Sequence, residues 1–177
     1  MTAPRRGTPF VTAALFLGMV LATGGTSASA QRPAAPASPS SAHLSLLQAG
    51  RCTPTPPDSL GPFYKPHAPL RNRVGRGYVL SGTVRSAMRC TPIRNARLEM
   101  WLANPQGVYD DAHRATLRVN ARGVYRFESN VPVAYSGRPP HIHIRVTAPG
   151  FRTLVTQHYP RPGQRRAVFD LVLVPAR

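Results

Sequence analysis

Lysine is nearly missing from this chain, with Lys65 the only one, and acidic residues number 6 against 23 Lys and Arg. The sequence has two cysteines, Cys52 and Cys90. No apolar run after the first thirty residues is long enough to span a bilayer, and no stretch shows a helical period of useful length. These scarcities exclude a good deal. Without a contiguous basic tract carrying interleaved aromatics, the formal charge of +17 does not describe a nucleic-acid binder. It describes an arginine-biased surface that attracts anions, a carboxylate substrate or anionic lipid among them. Neither cysteine has a base beside it, which argues against a catalytic thiol. No cysteine lies close enough to the leader to carry a lipid anchor, and no stable membrane anchor is expected.

The amino terminus reads as a targeting segment. Arg5 and Arg6 form a positive start, Phe10 to Val20 an apolar stretch, and Ala28-Ser29-Ala30 a cleavage site before Gln31. Residues 1–30 are therefore expected to be a signal peptide, with export to the periplasm or beyond. Removing Arg5 and Arg6 from +17 leaves +15. Residues 31–51, rich in Pro, Ala and Ser at their start, read as a linker. That leaves 52–177 as one domain with a real core. Two cysteines in an exported domain favour a disulfide joining its start, at Cys52, to the loop after its first long strand, at Cys90.

The periodicity is that of an all-β domain. Tyr78–Val84, Asn95–Leu102, Ala115–Val119, Val124–Phe127, His141–Thr147, Phe151–Gln157 and Ala167–Val174 read as strands, with turns at Asn104–Gly107 and Asn120–Gly123. Ala96, Leu98, Met100 and Leu102 share one face. Seven short strands suggest a two-sheet β-sandwich. Within it, His141 and His143 stand at i and i+2 and project from one strand face, while Ile142 and Ile144 point to the other. Two imidazoles so placed can grip one metal ion. Tyr135 and Arg138 shortly precede them, Tyr109 lies further upstream, and phenolates are hard anionic donors suited to ferric iron. Asp110, Asp111 and His113 offer a rival metal cluster, or a solvated turn.

Taken together, Thr55-Pro-Pro-Asp-Ser-Leu-Gly-Pro-Phe-Tyr64, Leu80-Ser-Gly-Thr-Val84, Glu99-Met-Trp-Leu-Ala-Asn-Pro-Gln-Gly-Val-Tyr109, Arg138-Pro-Pro-His-Ile-His143, Gly150-Phe151 and Thr156-Gln-His-Tyr159 form an ordered set. The chain resembles the intradiol ring-cleavage dioxygenases, in particular the iron-bearing protocatechuate 3,4-dioxygenase subunit and its small exported relatives. The resemblance implies an intradiol/transthyretin-like sandwich and non-haem Fe(3+) held by Tyr109, Tyr135, His141 and His143. It implies catalytic roles for Tyr135, Arg138 and Gln157, with Pro62, Tyr64 and Arg138 at the substrate. The implied reaction inserts both atoms of O2 into a small aromatic diol to give a muconate-type diacid. A homo-oligomer is open, since the family ranges from dimers to large assemblies. Five residues separate Tyr135 from His141, where protocatechuate enzymes carry a longer insertion. Two other functions fit the same pattern. One is a non-catalytic transthyretin-like binding module; the other is an exported Zn- or Cu-binding protein using His141, His143 and His113.

Overall fold

The computed structural model describes residues 50–177; the segment expected to be a signal peptide and almost all of the expected linker lie outside them. Eight strands and no helix are found among the described residues: β1 (Gly77–Ser86), β2 (Arg97–Trp101), β3 (Arg114–Arg118), β4 (Val124–Asn130), β5 (Ile142–Thr147), β6 (Leu154–His158), β7 (Arg166–Val168) and β8 (Leu171–Leu173). One sheet runs β4-β1-β7, with β8 also paired to β1; the other runs β3-β2-β5-β6. This is the expected two-sheet sandwich.

Alternation builds the core. Tyr78, Leu80 and Val84 of β1 turn inward with Tyr125 and Phe127 of β4. Facing them are Leu98 and Met100 of β2, Leu117 of β3, and Ile142, Ile144 and Val146 of β5. Each fully buried aliphatic side chain contributes about 1.5–3 kcal/mol, so the inner faces fix strand register. Ala96, Leu98, Met100 and Leu102 are all buried, as the alternation requires. His158 also points into this core. Its Nε2 lies 2.7 Å from the Tyr78 hydroxyl, and burial pushes the imidazole pKa down to about 4.

Most strand ends shift by one to three residues from the sequence expectation, and two of the differences have a structural cause. The partner of β5 begins at Leu154, because Phe151 instead bridges Pro175 at the end of the chain. The final strand is split in two by Asp170. β7 follows Val79–Ser81 and β8 follows Val84–Ser86, both parallel to β1. Between them the Asp170 carboxylate accepts the Thr83 N–H at 2.8 Å and Arg85 Nε at 3.1 Å. Phe169 donates its N–H to the Ser81 carbonyl, and its own carbonyl accepts the Tyr125 hydroxyl at 2.6 Å.

That crossover needs a glycine opposite it. A Cβ on Gly82 would meet the Phe169 oxygen at 2.2 Å and the Tyr125 ring at 3.0 Å. Since the obstacle is backbone, the strand itself would have to move. Gly82→Ala is expected to destabilise the fold by about 3 kcal/mol, read as a fall in urea midpoint at unchanged slope. A midpoint equal to wild type would show that the close approach is not needed.

Candidate metal centre and its cavity

The outer face of the second sheet carries the site. Register places Arg114 opposite Trp101, Trp101 opposite His143, and His143 opposite Gln157, so these four form a row across β3, β2, β5 and β6. His143 lies parallel to the Trp101 indole, ring centroids 4.9 Å apart. His141, just before β5, projects to the same side. Ile142 and Ile144 are wholly buried on the other, as alternation demands.

Tyr109 arrives from the β2–β3 loop, and Asn104 shapes that loop. Its side-chain oxygen accepts the N–H groups of Gln106 and Val108, and its Nδ2 donates to Asp110. The Tyr109 hydroxyl then lies 3.0 Å from His141 Nε2 and 3.1 Å from His143 Nε2. The two imidazole nitrogens are themselves 3.1 Å apart. Three donor atoms thus meet in one triangle. His141 Nδ1 donates to the Pro139 carbonyl at 2.6 Å, which leaves its Nε2 as a lone pair facing the triangle.

Tyr135 and Arg138 come from a tight reverse turn. The N–H of each bonds to the carbonyl of the other, at 3.1 and 2.7 Å, while Ser136 and Gly137 both adopt positive φ. The short Tyr135–His141 connection is therefore a closed hairpin tip that sets Tyr135 and Arg138 side by side. Tyr135, Arg138, Tyr109, His141 and His143 line one cavity with Gly61, Pro62 and Phe63, of about 170 Å³. A cavity of about 150 Å³ accepts benzene, so the space suits one aromatic ring. Larger grooves exist; one of about 530 Å³ beside Leu70, Arg118 and Val124 is lined by neither histidine nor carboxylate. Size alone would select the wrong place.

The donor set fits a metal. A cation just above the triangle would reach all three atoms at the roughly 2.0–2.1 Å of a metal–nitrogen bond. His143 is 3% exposed, and its Nδ1 makes no hydrogen bond of good geometry, only a weaker interaction with the Ser59 backbone. Burial first, then the neighbouring His141 and Arg138, holds the His143 pKa down to about 4, so the ring is neutral and able to ligate near neutral pH. Burial likewise pushes the Tyr109 phenol up to about 12, against the pull of Arg138. Phenols and imidazoles together are the mix of hard and borderline donors that a ferric ion takes.

No family model matches the chain. It is 29% identical over 133 residues to the chlorocatechol 1,2-dioxygenase of Cupriavidus pinatubonensis, covering 56% of this chain and 52% of that relative. The chain thus spans about half the length of the curated relatives it matches. The intradiol ring-cleavage dioxygenase of Tetranychus urticae shares the fold, with a TM-score of 0.64, 17% identity, and coverage of 71% of this chain and 97% of that one. The dioxygenase domain of a dioxygenase–carbohydrate-binding protein fusion from Streptomyces sp. SirexAA-E is 30% identical, with a TM-score of 0.63. Coverage there is 70% of this chain and 100% of that domain. The chain belongs to the intradiol ring-cleavage dioxygenases.

Within this intradiol scaffold the remaining candidates separate clearly. Pro62 lines the cavity, whereas Tyr64 does not. The Tyr64 hydroxyl donates to Glu99 at 3.1 Å, and its ring tilts against Trp101. Phe63, the residue before it, faces the site instead, stacked on Tyr109 at 4.4 Å and edge-on to Tyr135 at 5.2 Å. Gly61 lets this segment pass the histidine, since a Cβ there would meet His143 Cε1 at 2.9 Å and its φ is +71°. Gln157 stands outside the cavity lining; its Oε1 accepts Arg138 Nη2 at 2.8 Å and its Nε2 donates to the Ser59 carbonyl at 2.6 Å.

The rival metal cluster does not form. Asp110 accepts His113 Nδ1 at 2.7 Å and Asn104 Nδ2 at 2.8 Å, while Asp111 turns to Lys65 and Arg114. These pairings brace the loop that carries Tyr109, and they remove His113 from any joint site with His141 and His143. Among the described residues, no three His, Cys, Asp or Glu side chains gather as a metal cluster. The Zn or Cu reading through His113 is corrected on that ground. The disulfide between Cys52 and Cys90 is present, with Cα atoms 5.2 Å apart, within the ordinary range.

Proposed function

We propose that this chain is a non-haem Fe(III) intradiol dioxygenase acting on a single-ring catechol-type aromatic and O2. The observation that carries the reading is the convergence of the Tyr109 oxygen and the two histidine nitrogens at about 3 Å in a ring-sized cavity rimmed by Tyr135 and Arg138. Ferric iron held by Tyr109, Tyr135, His141 and His143 would supply the electron-accepting centre that makes a chelated catecholate reactive toward O2.

The protein's own residues supply the rest. Tyr135, which lines the cavity, would be a phenolate while it is a metal donor, and on leaving the metal it would be able to take the proton of one substrate hydroxyl as the diol binds. The Arg138 guanidinium would stabilise negative charge that develops on the ring and the incoming oxygen. Pro62 and Phe63 give an apolar wall that orients the ring and keeps water off it. Gln157 contributes by holding Arg138. We place the protein in an oxidising, exported compartment, a reading supported by the leader-like first thirty residues and by the Cys52–Cys90 bond.

Iron-loaded protein is expected to show a visible phenolate-to-iron absorption band and to consume O2 with at least one of catechol, hydroxyquinol or protocatechuate. Tyr109→Phe should shift or remove that band. Colourless iron-loaded protein, silent in oxygen uptake across the panel, would overturn the assignment in favour of a binding module.

A further inference from the structure

We propose that Tyr159, anchored by Asp58, is a positioning residue that fixes the Arg138 guanidinium over the cavity. The inference rests on the ring-cleavage function proposed above. Arg138 sits on an exposed two-residue turn, where a long cationic side chain would ordinarily sweep through many rotamers. Here it does not swing free. Its Nη2 donates to Tyr159 Oη at 3.0 Å and to Gln157 Oε1 at 2.8 Å. The Tyr159 hydroxyl in turn donates to Asp58 Oδ2 at 2.9 Å, and it lies 2.9 Å from Gln157 Oε1 as well.

Asp58 is held from behind. Its Oδ1 accepts the Ser59 N–H at 2.6 Å, and its own N–H bonds to the Val155 carbonyl at 2.9 Å. The chain Asp58–Tyr159–Arg138 therefore links the segment that precedes β1, the residue just after β6 and the Tyr135–Arg138 turn through one hydroxyl. A carboxylate accepting from that hydroxyl makes its oxygen a better acceptor for the guanidinium, so the two bonds reinforce each other. The Tyr159 ring is 41% exposed and lies beside His141, with centroids 5.9 Å apart. It fills little core, so losing the hydroxyl alone should cost little stability. Misplacing a catalytic charge by about 1 Å can cost on the order of 100-fold in rate, which gives the tether its importance.

Three measurements test this. Tyr159→Phe is expected to lower kcat by about 10-fold with KM changed less than about 2-fold, and to leave the visible iron band in place. In an Arg138→Gln background the same change should have no further effect, because the residue it positions is gone. In metal-free protein, the Arg138 Nη2–H signals by nitrogen-edited NMR should be resolved and exchange slowly with solvent, and should speed up in both Tyr159→Phe and Asp58→Asn. Additive losses in the double variant, or Arg138 exchange identical in all three proteins, would overturn the proposal. Wild-type protein without colour or turnover would instead overturn the ring-cleavage reading, and the NMR arm would still decide the tether.

Discussion

His143→Leu is expected to leave a folded protein whose iron affinity has fallen more than about 100-fold. Removing a residue that merely orients a metal ligand already costs 10–100-fold, and His143 offers its nitrogen directly to the triangle. The informative half of the prediction concerns the metal-free protein. A buried polar atom without a well-formed hydrogen bond is a liability to stability, and His143 Nδ1 has only a weaker interaction with the Ser59 backbone. Leucine has nearly the same volume, can still pack on Trp101, and leaves the Tyr109 hydroxyl paired with His141 Nε2. Thermal unfolding of the metal-free variant should therefore occur at or slightly above the wild-type temperature. Such an inverse relation marks a residue kept for function at a cost in stability. A metal-free Leu variant that unfolds much earlier, while still binding iron as wild type does, would show that His143 belongs to the fold and not to the site.

How much of this arrangement could be read from the residues follows from the range of each interaction. The His141–His143 face was legible because a strand repeats every two residues, and Ile142 and Ile144 report which side is the core. The core of β2 was legible on the same ground, through Leu98 and Met100. Asp170 defeated the pattern because a carboxylate inside an apolar run can replace a main-chain acceptor for a neighbouring strand. Nothing within its own window announces that Thr83 lies opposite. Phe63 and Tyr64 show the same limit at finer scale. Both are aromatic and adjacent, and which one faces the cavity is settled by Glu99, which claims the Tyr64 hydroxyl from 35 residues away. Tyr159 was visible only as part of a motif. Its role depends on Asp58, separated by 101 positions and brought near by β6 and the leading segment.

Breaking the Cys52–Cys90 bond is expected to have the other large effect. The bond closes 38 residues of sequence, and on the chain-entropy account such a loop contributes about 4 kcal/mol to stability. Cys52→Ser with Cys90→Ser, or full reduction, should lower the melting temperature by about 15 °C for a domain of this size. The loss should begin locally. Residues 52–69 are tied to the sheets by scattered hydrogen bonds, from Asp58 to Val155, Gln157 to Ser59, Arg114 to Phe63 and Thr116 to Ala68. No β-ladder holds them, so this stretch belongs to the least stable part of the molecule once its covalent anchor is cut. Hydrogen exchange should accelerate there before it does in β2 or β5; uniform acceleration, or an unchanged melting temperature, would show the bond to be redundant. The segment supplies Gly61, Pro62 and Phe63 to the cavity but none of the four proposed metal donors. The disulfide-free protein should accordingly keep its iron and lose turnover as the apolar wall departs. His143→Leu should do the reverse, keeping the wall and losing the iron, so the pair separates what holds the metal from what covers it.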